Sequence, residues 1–278
     1  MSRHTSLRIG GPAEVMAFPQ NPQELAHILK VSKELDITCV ILGAGTNILA
    51  PDEGCRGVII CLKDCLGGME LLPGNCIRVM AGVTMARAAV FAANHGLSGL
   101  EFAHGIPGTV GGGVYMNAGA YGGEMSGICR SVTLMDGAGQ LREVNARELE
   151  FSYRHSKLQE SGEVVISAVL QLQPAAPEEI KQKMKELQAK RLASQPLGYP
   201  SAGSAFKRPV GGYAAALIDQ TGLRGFQVGQ AAIARKHAGF AINLGGATAA
   251  EMRELLTQVS DRVFRQTGIR LEPEIRIW

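Results

Sequence analysis

Apolar positions along the chain fall into two rhythms, one helical and one alternating, and their order predicts a mixed structure. Asn21-Pro22-Gln23-Glu24 sets a capping side chain, a proline in the first turn and a glutamate three residues after the cap. Leu25, Ile28, Leu29 and Leu35 follow at helical spacing, which predicts an amphipathic helix over 22–35. Short β-prone runs come next at 38–42, 58–62 and 77–83. Thr84 then caps a helix predicted to run through Val90 and Phe91 to a stop at His95-Gly96. Runs 131–135 and 140–144 flank Asp136-Gly137-Ala138-Gly139, a hairpin signal. Residues 146–151 read as a short helix or turn. Residues 164–172 read as a strand with Val165, Ala168 and Leu170 imperfectly on one side. Beyond Pro174 and Pro177, Ile180, Met184 and Leu187 mark a helix whose acidic start and basic end suit the helix dipole. An irregular stretch at 195–209 is followed by a helix at 212–221 and strands at 230–234 and 239–244. The capping box Thr248-Ala249-Ala250-Glu251 opens a helix that buries Leu255, Val259 and Val263, and 269–277 reads as a terminal strand.

Two stretches break these rhythms with glycine. From His104 to Gly123 the chain holds glycines at 105, 108, 111, 112, 113, 119, 122 and 123, where an average usage of about 7% supplies one or two. Ile106, Pro107, Val110, Val114, Tyr115 and Met116 are interleaved with them, unlike the polar composition of a flexible linker. A packed loop with N–H groups turned toward an anion or an electron-rich ring fits this pattern. The second stretch, Gly43-Ala44-Gly45-Thr46-Asn47, ends a predicted strand but is not followed by the helix that a dinucleotide-binding fingerprint needs. Read alone, it is as much a β-turn as a phosphate cradle.

Composition narrows the class. A chain of 278 residues has room for two or three domains, and a net charge of +3 with scattered Lys and Arg gives no nucleic-acid footprint. Cysteines at 39, 55, 61, 65, 76 and 129 form no C-x-x-C pair, so buried thiols are expected rather than disulfides or a metal site. No signal-peptide core and no membrane-length apolar run occur, and a cytoplasmic protein without membrane insertion is the expectation.

Seven stretches in fixed order then carry a resemblance: HTSLRIGGPA at 4–13, GAGTNIL at 43–49, GIPGTVGGGVYMNAGAYG at 105–122, FSYRHS at 151–156, GSAFKRP at 203–209, KHAGFAIN at 236–243 and LEPEIR at 271–276. This set resembles the UDP-N-acetylenolpyruvoylglucosamine reductase family. The resemblance implies an α+β chain with a two-part FAD-binding domain of the vanillyl-alcohol-oxidase (PCMH) type and a C-terminal α+β substrate-binding domain. The expected divisions are 1–66, 67–173 and 174–278. It also implies non-covalent FAD, NADPH as co-substrate, a UDP-sugar substrate and a role in peptidoglycan synthesis. No room exists between Tyr153 and Pro177 for the tyrosine-bearing insertion of one branch, so the chain resembles the shorter branch.

Carried over position by position, the resemblance assigns Arg154, Ser204 and Glu274 to catalysis. It assigns Gly43, Ala44, Gly45, Thr46, Asn47, Ile48, Gly105, Pro107, Gly108, Thr109, Gly111, Gly112, Asn117 and Gly119 to FAD, and Lys207, Arg208, Tyr213 and Lys236 to substrate. Residue chemistry alone leaves each open. Without the motif match, Arg154 reads as a structural ion-pair partner or a solvated arginine, Ser204 as a turn serine, and Glu272 and Glu274 as carboxylates sharing one strand face. A related flavin oxidase acting on a small alcohol or sugar, and a non-catalytic flavin or nucleotide-sugar binding protein, are the alternatives in function. The sequence leaves the oligomeric state open.

Overall fold

The computed structural model describes every residue from Met1 to Trp278. Its Cα packing divides the chain into two compact units, each assembled from separated stretches. Unit 1 comprises 1–14, 45–56 and 191–278; unit 2 comprises 15–44 and 57–190. The expected sequence-contiguous divisions at 66 and 173 differ from this grouping, because the N-terminal residues contribute Leu7 and Ile9, and the 45–56 stretch Leu49, to a core made largely by 202–275.

Unit 2 is built on a five-stranded antiparallel sheet. Its strands, in spatial order, are Leu141–Asn145, Cys129–Met135, Val164–Gln171, Cys76–Met80 and Met69–Leu72. The central strand Val164–Gln171 is buried along all but its last residue, which explains why its alternation is imperfect: both faces are covered. Helix Met85–Asn94 lays Met85, Ala88, Ala89, Ala92 and Ala93 into the core, with Thr84 as its cap as the sequence predicts. Helix Pro22–Glu34 buries Leu25 and Leu29 in a second cluster with Ile60, Leu62 and Ile166. Strand Cys39–Leu42 runs parallel to the neighbouring strand, with Leu42 opposite Cys61.

The strand bearing Cys129 shows how burial tunes a titrating group. Its thiol is pushed up to about 12 from an ordinary value of 9.0 by desolvation alone. The folded state therefore holds the proton more tightly than the unfolded chain. The resulting stability is fully present below the unfolded value and is lost as pH rises through the folded one. Alkylation of Cys129 by iodoacetamide at pH 8 is expected to track global unfolding; modification of the native protein as fast as a free thiol would contradict this.

Unit 1 holds a four-stranded antiparallel sheet in the order Ser201–Ser204, Phe240–Asn243, Ala231–Ile233, Gln227–Val228. The expected irregular stretch at 195–209 thus contains a strand, which the intervening Gly203 at φ +79 disguised in the sequence. Helix Ala249–Thr267 has the predicted capping box and covers the core with Leu255, Val259 and Val263. Asp52, distant in sequence, adds a second cap by accepting from the N–H groups of Ala249 and Ala250 at 2.7 and 3.0 Å. The expected terminal strand over 269–277 shrinks to Arg276–Ile277, which runs parallel to Ile48–Leu49. Pro273 has no N–H for a ladder, and its place is taken by a single bridge to Phe206.

Candidate active site

The glycine-rich stretch is not loop throughout. Val110–Tyr115 forms a short α-helix whose cap, Thr109, accepts from Gly112 N–H at 3.3 Å. Three consecutive glycines are poor helix formers, each costing about 1 kcal/mol relative to alanine. Packing overrides that cost at two of them. A Cβ on Gly111 would lie 2.8 Å from Cβ of Ala81, and one on Gly113 would lie 2.8 Å from Sδ of Met85. Gly112, by contrast, is exposed and meets nothing nearer than Thr109 Oγ1 at 3.5 Å. Its lack of a side chain serves no packing inside the protein.

Gly43 backs onto the same cap. Its missing Cβ would sit 2.7 Å from Thr109 Oγ1, so the two glycine stretches meet within unit 2. The amides of Gly43, Ala44, Gly105 and Gly108 donate to no protein acceptor. Four unengaged N–H donors and an exposed glycine form a donor set suited to the anionic and ring-edge acceptors of FAD. The residues fit that group. Gly43→Ala is expected to push Thr109 off its cap at a cost of about 1 kcal/mol. It should also lower the flavin bound per chain, measured by absorbance after desalting; full retention would remove Gly43 from the cradle.

Other expected FAD residues are engaged differently. Gly45 at φ +63 packs against the His4 carbonyl, 2.0 Å from where a Cβ would lie. Asn47 donates to the Glu274 carbonyl at 3.1 Å and accepts from the Arg276 N–H at 3.0 Å, while Ile48 pairs with Arg276. These two organise the C-terminal segment of unit 1. Asn117, buried at φ +43, donates to the Ser152 carbonyl at 2.9 Å and accepts from Ser126 N–H at 2.9 Å. Its side-chain amide thereby ties the glycine stretch to the backbone at Ser152.

Those bonds place Arg154 on the glycine stretch. Ser152 and His155 exchange N–H···O bonds of 3.1 and 3.2 Å, closing a tight turn with Tyr153 and Arg154 at its centre. Arg154 sits at φ +56, a left-handed conformation in which a long side chain is uncommon and glycine would be relaxed. Its Nη2 donates to the Gly119 carbonyl at 3.1 Å, and its guanidinium lies 4.9 Å from the Tyr153 ring centre. Ser156, fully buried, donates to the Tyr115 carbonyl at 2.8 Å and fixes the far side of the turn. Nothing in the spacing of Ser156 or Asn117 along the sequence marks these long-range bonds in support of Arg154.

In unit 1, Ser204 ends its strand opposite Phe240. The next residues run beside the C-terminal segment: Glu274 N–H donates to the Ala205 carbonyl at 2.9 Å, and Lys207 N–H to the Glu272 carbonyl at 2.8 Å. Ser204 and Glu274 are therefore brought together by the backbone. The two glutamates are not equivalent. Glu272 is exposed and pairs with Lys207 Nζ at 3.3 Å, whereas Glu274 is half-buried. That surface pair is worth little on its own. Arg208 stacks on Tyr213 at 4.6 Å, with Tyr213 largely exposed. Lys236 donates to the Leu192 carbonyl at 2.6 Å, a structural tie. Its neighbour His237 is held below the usual histidine range by burial, then by Arg224, and accepts from Gly239 N–H at 3.1 Å.

Comparison with known proteins decides the family. Residues 195–278 match the UDP-N-acetylenolpyruvoylglucosamine reductase C-terminal domain, and residues 13–145 match an FAD-binding domain. Among curated relatives, the UDP-N-acetylenolpyruvoylglucosamine reductase of Agathobacter rectalis is 44% identical over 288 residues, covering 100% of this chain and 91% of that protein. The reductase of Lactobacillus acidophilus is 44% identical over 277 residues, covering 100% and 92%. This chain belongs to the UDP-N-acetylenolpyruvoylglucosamine reductase family. The crystal structure of the reductase from Thermus caldophilus agrees, with a TM-score of 0.82 at 35% identity over 100% of this chain and 96% of that one. The fold is thus the expected α+β arrangement of an FAD-binding domain and a family-specific C-terminal domain. No helix is long and apolar enough to cross a membrane.

Proposed function

We propose that this chain is an NADPH-dependent flavoenzyme that reduces the enolpyruvyl group of UDP-N-acetylglucosamine enolpyruvate to the lactyl ether of UDP-N-acetylmuramate. Peptidoglycan synthesis, and through it cell wall biogenesis, cell shape and cell division, is the process served, and the cytoplasm is its site. The observation that supports the reading most strongly is likeness to reductases along the full chain. Arg154 adds to it, an arginine kept in a backbone conformation that favours glycine.

Bound FAD would supply the hydride, drawn from NADPH, that the substrate's double bond accepts. Gly43, Ala44, Gly105, Gly108 and the open face of Gly112 would hold it. Arg154 stabilises negative charge as it spreads onto the substrate carboxylate, its planar guanidinium matching the two carboxylate oxygens. Ser204 donates the proton that completes the reduction at carbon. A serine hydroxyl is a weak acid, so it serves only toward a strongly basic carbanion. Glu274, held beside the Ser204 strand by its own N–H, supplies a carboxyl group toward the same developing charge. Arg208 and Tyr213 contribute to substrate binding, with Lys207 and Lys236 in supporting positions.

The direct test is cofactor content and turnover. Purified protein is expected to be yellow, to release flavin on heat or acid, and to sustain multiple turnovers of NADPH only when the enolpyruvyl sugar nucleotide is present. Colourless protein that takes up no added FAD would overturn the reading.

A further inference from the structure

We propose that Gln159 is a positioning residue for Arg154, an inference that rests on the reading of Arg154 given above. Its Nε2 lies 3.1 Å from the Arg154 carbonyl, 3.1 Å from the Tyr115 carbonyl and 3.8 Å from Met116 Sδ. Two carbonyl oxygens face one end of the side chain, so that end is the –NH2, with one proton for each. The amide thus clasps the backbone of the arginine to the end of the glycine helix.

The clasp acts where it is needed. Arg154 is in the left-handed region, and such a conformation persists only when its surroundings over-determine it. The reciprocal Ser152–His155 bonds close the turn, and the Arg154 carbonyl takes a side-chain anchor in addition. Gln159 supplies that anchor, and it fixes it to Tyr115, four residues before the Gly119 carbonyl that receives Arg154 Nη2. Backbone and guanidinium are therefore both referenced to the 115–119 segment. Gln159 itself is fixed by its N–H to the Ser156 carbonyl at 3.0 Å, and Ser156 Oγ donates to the same Tyr115 carbonyl. Its bond to the Arg154 carbonyl is the route by which it acts on the arginine.

Gln159→Glu tests this at nearly constant shape, because a carboxylate facing two carbonyls repels where the amide donated. Arg154 is assigned to the substrate-reducing half-reaction, and that step should slow by about 10- to 100-fold, the penalty of misplacing a reacting group by about 1 Å. Flavin content and reduction by NADPH should stay within twofold of wild type. Gln159→Lys, which keeps donors for both carbonyls, should restore most of the lost rate. A wild-type rate in Gln159→Glu, or equal slowing of both half-reactions, would overturn the proposal. Should the glutamate variant fail to bind flavin, Gln159→Ala takes its place under the same expectations, and a wild-type rate there is equally fatal. Arg154→Ala is the control: if it too leaves substrate reduction unchanged, the role of Arg154 itself is wrong; if it is slow while the Gln159 variants are not, the positioning role alone is wrong.

Discussion

Ser204→Ala is expected to accept electrons from NADPH at the wild-type rate and then to pass them to the enolpyruvyl substrate about 100- to 10,000-fold more slowly, the range for a lost general acid. The asymmetry follows from where the hydroxyl acts. Charge builds on the substrate carbon only after hydride arrives, so a proton donor is idle while NADPH is oxidised. Stability should change little, since Ser204 ends a strand and its backbone pairing with Phe240 is untouched by the substitution. Rapid-mixing absorbance measurements of the two half-reactions separate the outcomes. Equal slowing of both would remove Ser204 from the role of proton donor.

Arg154→Gly carries the second large effect and couples it to stability. Loss of one fixed donor at a site of developing charge typically costs about 100- to 1000-fold in rate. The same change relaxes the backbone, because glycine adopts φ +56 without the side-chain clash that arginine accepts there. The expected variant is therefore crippled in substrate reduction yet melts no lower than wild type, even though it forfeits the bond to Gly119. Calorimetry together with the oxidative half-reaction checks both halves. A variant that is active, or one that melts several degrees lower, would show that the strained turn exists for folding rather than for chemistry.

Much of the fold was legible because local chemistry and tertiary packing agree. The cap Asn21, the boxed cap Thr248 and the Asp136 turn each act as their sequence context predicts. The failures have physical causes. Gly111-Gly112-Gly113 reads as loop by propensity, but Ala81 and Met85 demand close approach and turn it into helix. Pro273 interrupts the terminal strand that alternation suggested. Residues 1–14 carry no local sign that Leu7 and Ile9 belong to a core built 200 residues later. For the site, Arg154, Ser204 and Glu274 were visible as motif positions, while their supports were not. Asn117, Ser156 and Gln159 act through bonds to backbone carbonyls, and a carbonyl has no sequence signature. The choice between Glu272 and Glu274, open to periodicity, is sharpened by burial: Glu272 is exposed and paired with Lys207, and Glu274 is half-buried.

The most direct measurement is an anaerobic rapid-mixing experiment in which stoichiometric NADPH is added to the yellow protein, followed by the enolpyruvyl sugar nucleotide. The yellow absorbance should be lost on the first addition and return in full on the second, with one UDP-N-acetylmuramate formed per flavin. Absorbance that returns only when oxygen is admitted, with no sugar-nucleotide product, would identify an oxidase and contradict the reductase reading.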